Sequence, residues 1–283
     1  MSIQSGQFDI TKIRTLAGNP YPCSSFAEFV CNETSHRPGH SHPENIDVSL
    51  SSDLNPAIIN KMVFYGESPE DLWYNLERSI NHLSSPSPYQ RKAIKRFRTL
   101  KDRYLHSKPL KALENEKMFR GFYRAFDDIF FFNSLLGLCE IAVCPPGSMG
   151  AKLGATHRVG CTVIPDGYVN LIAIQDTTER YTEASRAFRL NDYLETLLHE
   201  MLHAYFRVYT CGCSASCVGR QEQMIGSTGH GMAWMWTALR IEEVTEPLLG
   251  VRLDMALGDF SFEDDAYREA IPVDVRRKWG VDN

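Results

Sequence analysis

No stretch of this chain approaches the ~20 uninterrupted apolar residues that a helix needs to cross a bilayer, so the sequence predicts no membrane span. The first residues, Met1-Ser2-Ile3-Gln4-Ser5-Gly6, lack a basic region leading into an apolar run, and no secretory signal is expected. An intracellular setting, cytoplasm or nucleus, follows from that reading. In it the eight cysteines are expected to serve as thiols or metal ligands rather than as disulfides. An excess of positive charge is missing as well: the net charge is −5 and the pI near 6.0, which argues against a nucleic-acid footprint spread over the whole chain. There is no internal repeat, and no cysteine follows residue 240. The remaining composition, 283 residues with 43% hydrophobic and 23% charged, suffices for a sizeable core and one or two domains.

The chemistry is concentrated in His199-Glu200-Met201-Leu202-His203. Residues four apart lie on one face of a helix, so His199 and His203 can grip one ion while Glu200 is carried beside it. The helix is predicted independently of the motif. Leu194, Leu197, Leu198, Met201, Leu202, Tyr205 and Val208 recur at three- and four-residue steps and form a core stripe, which leaves the two imidazoles facing a cleft. Asp192 and Glu195 have the spacing of a capping box and predict a helix start near Asn191–Asp192. A third imidazole, His230, stands 27 residues beyond His203 between Gly229 and Gly231, where the backbone can turn tightly towards an ion. Three protein ligands leave a fourth position open, which is the pattern of a catalytic rather than a structural zinc.

Upstream, the first 66 residues are rich in turn formers and read as an irregular N-terminal extension; residues 67–118 read as a helical segment. Ser68-Pro69-Glu70-Asp71 starts a helix to about Leu83, and Ser87 with Gln90 caps a second that runs to about His106. A third, from about Leu110 to Phe131, carries Met118, Phe122, Phe126 and Ile129 on one side. Strands are predicted over Leu138–Cys144, Ala155–Gly160 and Val169–Ile174.

Several groups have two readings. Cys211, Cys213 and Cys217 could hold a second, structural ion if Cys161 or Cys144 came near, or they are thiols of a flexible insertion that oxidation could pair. Arg91, Lys92, Lys95, Arg96, Arg98, Lys101 and Arg103 load the second helix, either as a phosphate or acidic-protein contact or as a solvated face. His36, His40 and His42 fit a surface loop better than a metal site. His157-Arg158 is either a carbonyl-polarising pair or the polar face of a strand. Phe130-Phe131-Phe132, Trp234 and Trp236 read as core.

From about Phe119 to about Val244 the chain resembles the SprT-like zinc metallopeptidases, which include the Spartan proteases that degrade proteins crosslinked to DNA. The resemblance runs through Phe126-Asp127-Asp128-Ile129-Phe130-Phe131-Phe132-Asn133, Leu153-Gly154-Ala155-Thr156, Leu198-His199-Glu200-Met201-Leu202-His203-Ala204 and Thr228-Gly229-His230-Gly231-Met232-Ala233-Trp234. It implies a helix-rich, zincin-like α+β domain over residues 119–250, with a small sheet packed against the motif helix and a tail over 251–283. It also implies one catalytic zinc on His199, His203 and His230, Glu200 as the catalytic base, a polypeptide substrate, and DNA as a further partner. The insertion holding the three clustered cysteines is longer than the family's, and the absence of cysteine after residue 240 means that the C-terminal zinc ribbon of many relatives is missing.

The expected chemistry is therefore hydrolysis of an amide, with the ion acidifying a water and Glu200 accepting its proton and passing it to the leaving amine. Tyr205, Tyr209, His157 and Arg158 are the candidates for contacts to substrate or transition state. Two alternatives share the same residues: a zinc-dependent hydrolase or lyase for a small molecule, and a zinc-stabilised binding protein without turnover.

Overall fold

A computed structural model of the chain describes residues 69–106, 112–131, 133–136, 138–146, 148, 154–158, 170–177, 186–210, 215–226, 228–255, 273 and 277. The N-terminal extension with His36, His40 and His42, together with Phe132, Cys161, Cys211 and Cys213, lies outside these residues.

Helix α1 (Pro69–Asn81) starts at the predicted proline and buries Leu72, Leu76 and Ile80, residues one turn apart. A single 3₁₀ turn over His82–Ser84 follows. Helix α2 (Pro88–His106) opens with the reciprocal cap that its sequence predicts. The Ser87 N–H donates to Gln90 Oε1 and the Gln90 N–H to Ser87 Oγ, both at 3.1 Å. Helix α3 (Ala112–Phe130) packs along α2, with the Phe97 ring 5.3 Å from Phe122 and 5.4 Å from Phe126. It runs unbroken through residue 119, so the helical segment and the domain that follows are joined by one continuous element.

The end of α3 depends on a buried acid. Asp127 accepts the N–H groups of Leu135 (3.1 Å) and Leu136 (2.9 Å), and Asn133 takes a left-handed conformation (φ 57°) in the turn between them. Burial drives the Asp127 carboxyl well above the usual carboxylate range, against the pull of those backbone donors. Its neighbour Asp128 instead meets Tyr89 and Arg96 of α2.

Strands β1 (Cys139–Cys144), β2 (Gly154–Arg158) and β3 (Asn170–Gln175) form one small mixed sheet in the order β1-β3-β2, parallel between β1 and β3 and antiparallel between β2 and β3. All three lie within about two residues of their predicted positions. Helix α4 (Arg186–Tyr209) packs across β2 and β3, followed by α5 (Ala215–Ile225) and α6 (Met232–Leu249). The architecture is α+β and mostly helical. Buried side chains from Leu72 to Met255 form one core cluster.

Two expectations need correction. Helix α4 begins at Arg186, before the predicted capping box, because Leu190 and Tyr193 prolong the apolar stripe towards the N-terminus. Tyr193 also ties the helix to the end of β3: its hydroxyl donates to Asp176 Oδ1 and accepts the Thr177 N–H, both at 2.9 Å. Glu195 is thus free of capping duty and reaches another segment. The cysteine-bearing insertion, for its part, contains helix α5, on which Cys217 is buried. No described helix is long and apolar enough to cross a membrane.

The basic face of α2 is partly occupied by its own protein. Arg98 donates to Leu248 O (2.7 Å), and Lys101 to Leu249 O (3.2 Å) and Gly250 O (3.0 Å), so two cations cover carbonyls at the C-terminal end of α6. Lys92, Lys95 and Arg103 remain exposed.

Candidate metal centre

Every apolar residue of the predicted stripe on α4, from Leu194 to Val208, is buried, and this burial aims the opposite flank of the helix at the turn before α6. There His199 and His203 meet His230. The three Nε2 atoms stand 3.1 Å (His203–His199), 2.9 Å (His203–His230) and 3.2 Å (His230–His199) apart. Among the described residues this is the one group of three or more His, Cys, Asp or Glu side chains placed to share an ion.

The donor set fits a divalent ion. Nitrogens bonded to one zinc at ~2.0–2.1 Å with near-tetrahedral angles lie roughly 3.3 Å apart, close to the spacing of this triangle. Nδ1 of His199 lies 3.0 Å from Met255 O, and donation of its proton to that carbonyl leaves Nε2 as the lone-pair atom facing the other rings. Burial lowers all three pKa values: His199 to about 4, opposed by its bond to Met255, and His230 to about 3, helped by the charges of His199 and Arg207. His203 lies well below the usual range for the same main reason, with His199, His230 and Arg207 adding to it. The imidazoles are therefore neutral at physiological pH, the state in which they ligate metal.

Local backbone makes this convergence sterically feasible. Gly229 has φ +88°, and a Cβ there would lie 3.1 Å from His203 Nδ1; at Gly231 a Cβ would lie 2.5 Å from the carbonyl carbon of Ile225 at the end of α5. The predicted close approach is thus to protein atoms, which bring His230 against α4. Glu200, only 6% exposed, sits beside the imidazoles on α4 under the first residue of β2: an added Cβ on Gly154 would lie 2.9 Å from its Oε1.

Trp234 was expected to be plain core, and it is fully buried, but it also forms a wall of the site. Its ring stacks on His203 (centroids 5.2 Å, 22° between planes) and meets His199 and His230 edge-on, at 4.7 Å each. The spacing of four residues from His230 is the signal that could have suggested this role. Trp236 is partly buried against the core, and Phe130 and Phe131 are core as expected.

Of the other candidates, Tyr205 and Tyr209 belong to the core side of α4 rather than to the site. Tyr205 packs on Phe131 (5.7 Å) and Tyr209 (5.3 Å), and the Tyr209 hydroxyl donates to Ser134 O at 2.7 Å. Burial raises the Tyr209 pKa above the ordinary phenol value. His157 and Arg158 lie on β2, paired in register with Leu171 and Asn170, and their side chains are outside the described residues. Cys217 is buried on α5, and Cys144 ends β1 as a free thiol.

Comparison of the chain with protein-family models, with curated proteins and with solved structures finds no match in any of the three.

Proposed function

We propose that this chain is a zinc-dependent peptidase in which His199, His203 and His230 hold the ion and Glu200 is the proton-transfer group. The observation that carries the reading is the convergence of three neutral ring nitrogens within 3.2 Å of one another, on the same helix as a buried glutamate. Bound zinc would supply Lewis acidity, polarising a carbonyl and making a water acidic enough to react near neutral pH. The protein's own contributions are distinct. The Met255 carbonyl orients His199, Trp234 backs the three rings, and burial keeps the imidazoles unprotonated. Glu200 accepts a proton from the attacking water and returns it to the leaving amine.

Two measurements test this. Elemental analysis of the purified chain should give about one zinc per molecule, and His203→Ala should lose it; full retention in that variant would sink the ligand assignment. Turnover should then be assayed on an unfolded protein beside a panel of small esters and amides. Activity confined to the small molecules would transfer the site to the alternative hydrolase, and zinc without any turnover to the binding protein.

DNA enters only as a weak partner on this reading, because Arg96, Arg98 and Lys101 are engaged within the chain. Fluorescence anisotropy at physiological salt should show weak or no duplex binding. Tight, salt-sensitive binding that disappears when Lys92, Lys95 and Arg103 are changed to glutamate would reverse this expectation and place the contact on α2.

A further inference from the structure

The chain leaving α6 does not trail away from the site. Val251, Leu253 and Met255 are buried, Met255 completely, and the backbone between them is clasped at successive points. The Met255 N–H donates to Glu242 Oε1 at 3.0 Å, the Asp254 N–H to Glu195 Oε1 at 3.0 Å, and Asn191 Nδ2 to Arg252 O at 3.4 Å. Glu242 is itself buried, 5% exposed, on α6. The same Met255 peptide segment presents its carbonyl to His199 Nδ1 at 3.0 Å.

We infer that residues 251–255 form a strap that sets the orientation of His199, and that Glu242 is a positioning residue for the metal centre, acting through the backbone of Met255. This rests on the reading of the three imidazoles as metal ligands. A carboxylate buried at this depth is costly unless it is hydrogen-bonded. Holding the strap gives Glu242 that bond, and the strap gives His199 a fixed tautomer and ring plane. Glu195 repeats the arrangement one peptide earlier from α4, one helical turn before His199, so the ligand helix and α6 grip the strap from two sides. Partners of this kind typically change metal affinity about 10- to 100-fold when lost.

The test uses the full chain stripped of metal and titrated with Co²⁺, whose visible absorption reports coordination geometry, and with Zn²⁺ against a chelator of known affinity. Glu242→Ala is expected to bind Zn²⁺ about 10- to 100-fold more weakly and to shift the Co²⁺ bands. Glu242→Gln, whose amide oxygen can still accept the Met255 N–H, should restore affinity and spectrum to near the wild-type values. Wild-type affinity and spectrum in a folded Glu242→Ala would overturn the inference while leaving the ligand assignment intact. No Co²⁺ spectrum from the wild-type chain would overturn the metal reading itself. Should Glu242→Ala fail to fold, Glu195→Ala takes its place on the more exposed side of the strap. A several-fold loss of affinity there would support the strap, and unchanged binding would refute it.

Discussion

Glu200→Gln should retain the metal and the fold while losing about 10²- to 10⁴-fold in hydrolytic rate, the usual cost of removing a general base. The amide has the shape of the carboxylate, so the packing under Gly154 survives, but it cannot take up a proton from water. Metal content by elemental analysis and thermal melting by circular dichroism should match the wild type. Turnover of an unfolded protein should not. Because Glu200 is buried beside the ligands rather than displayed on the surface, a glutamine variant as active as the wild type would remove this residue from the chemistry altogether.

Gly154→Ala is expected to come close to it in effect without replacing any acid, base or ligand. A methyl at this position would lie 2.5 Å from Thr196 Cγ2 and 2.9 Å from both Cγ and Oε1 of Glu200. Those distances are shorter than real contacts, and Thr196 is a β-branched side chain whose hydroxyl donates to Asp192 O at 2.7 Å, so it yields little. The methyl also crowds Glu200, whose side chain must shift. A displacement of about 1 Å at a catalytic group can cost ~10²-fold, and the zinc should stay bound. Adding Thr196→Ser removes the offending methyl and keeps the hydroxyl, so the double variant should recover part of the lost rate. Additive losses in the two changes would show that the steric account is wrong.

Much of the site could be read from the chain because its information is local. His199, Glu200 and His203 are neighbours on one helix, and the stripe from Leu194 to Val208 fixes which way that helix faces. The cap at Ser87 and Gln90 and the three short strands are legible for the same reason: turn chemistry and periodicity act within a few residues. The start of α4 misled because Asp192 and Glu195 have the right spacing for a cap, while the decisive contacts come from elsewhere. Tyr193 bonds to the end of β3, and Glu195 to a peptide 59 residues further on. The parts that Gly154 and Met255 play at the site are not legible on similar grounds, and Trp234 reads only as core. Their roles arise where segments meet, and only the four-residue spacing of Trp234 from His230 hints at one of them. Tyr205 and Tyr209 sit near the motif in sequence, yet the turn of the helix carries them to its opposite side, into the core.

The proposed ligand arrangement would also bear on how the chain stays folded. His203 and His230 are 27 residues apart, with α5 in the loop between them, and the three rings join the middle of α4 to the turn that precedes α6. An ion bound there would act as a cross-link. In the unfolded chain the loop is open, and closing it costs an entropy that grows only slowly with length, so a fastening made solely in the folded state favours that state by mass action. The same coordination that prepares the site for chemistry would thus staple α5 and the start of α6 to the helix bearing Glu200, and the chain stripped of its ion should be most easily loosened along that seam.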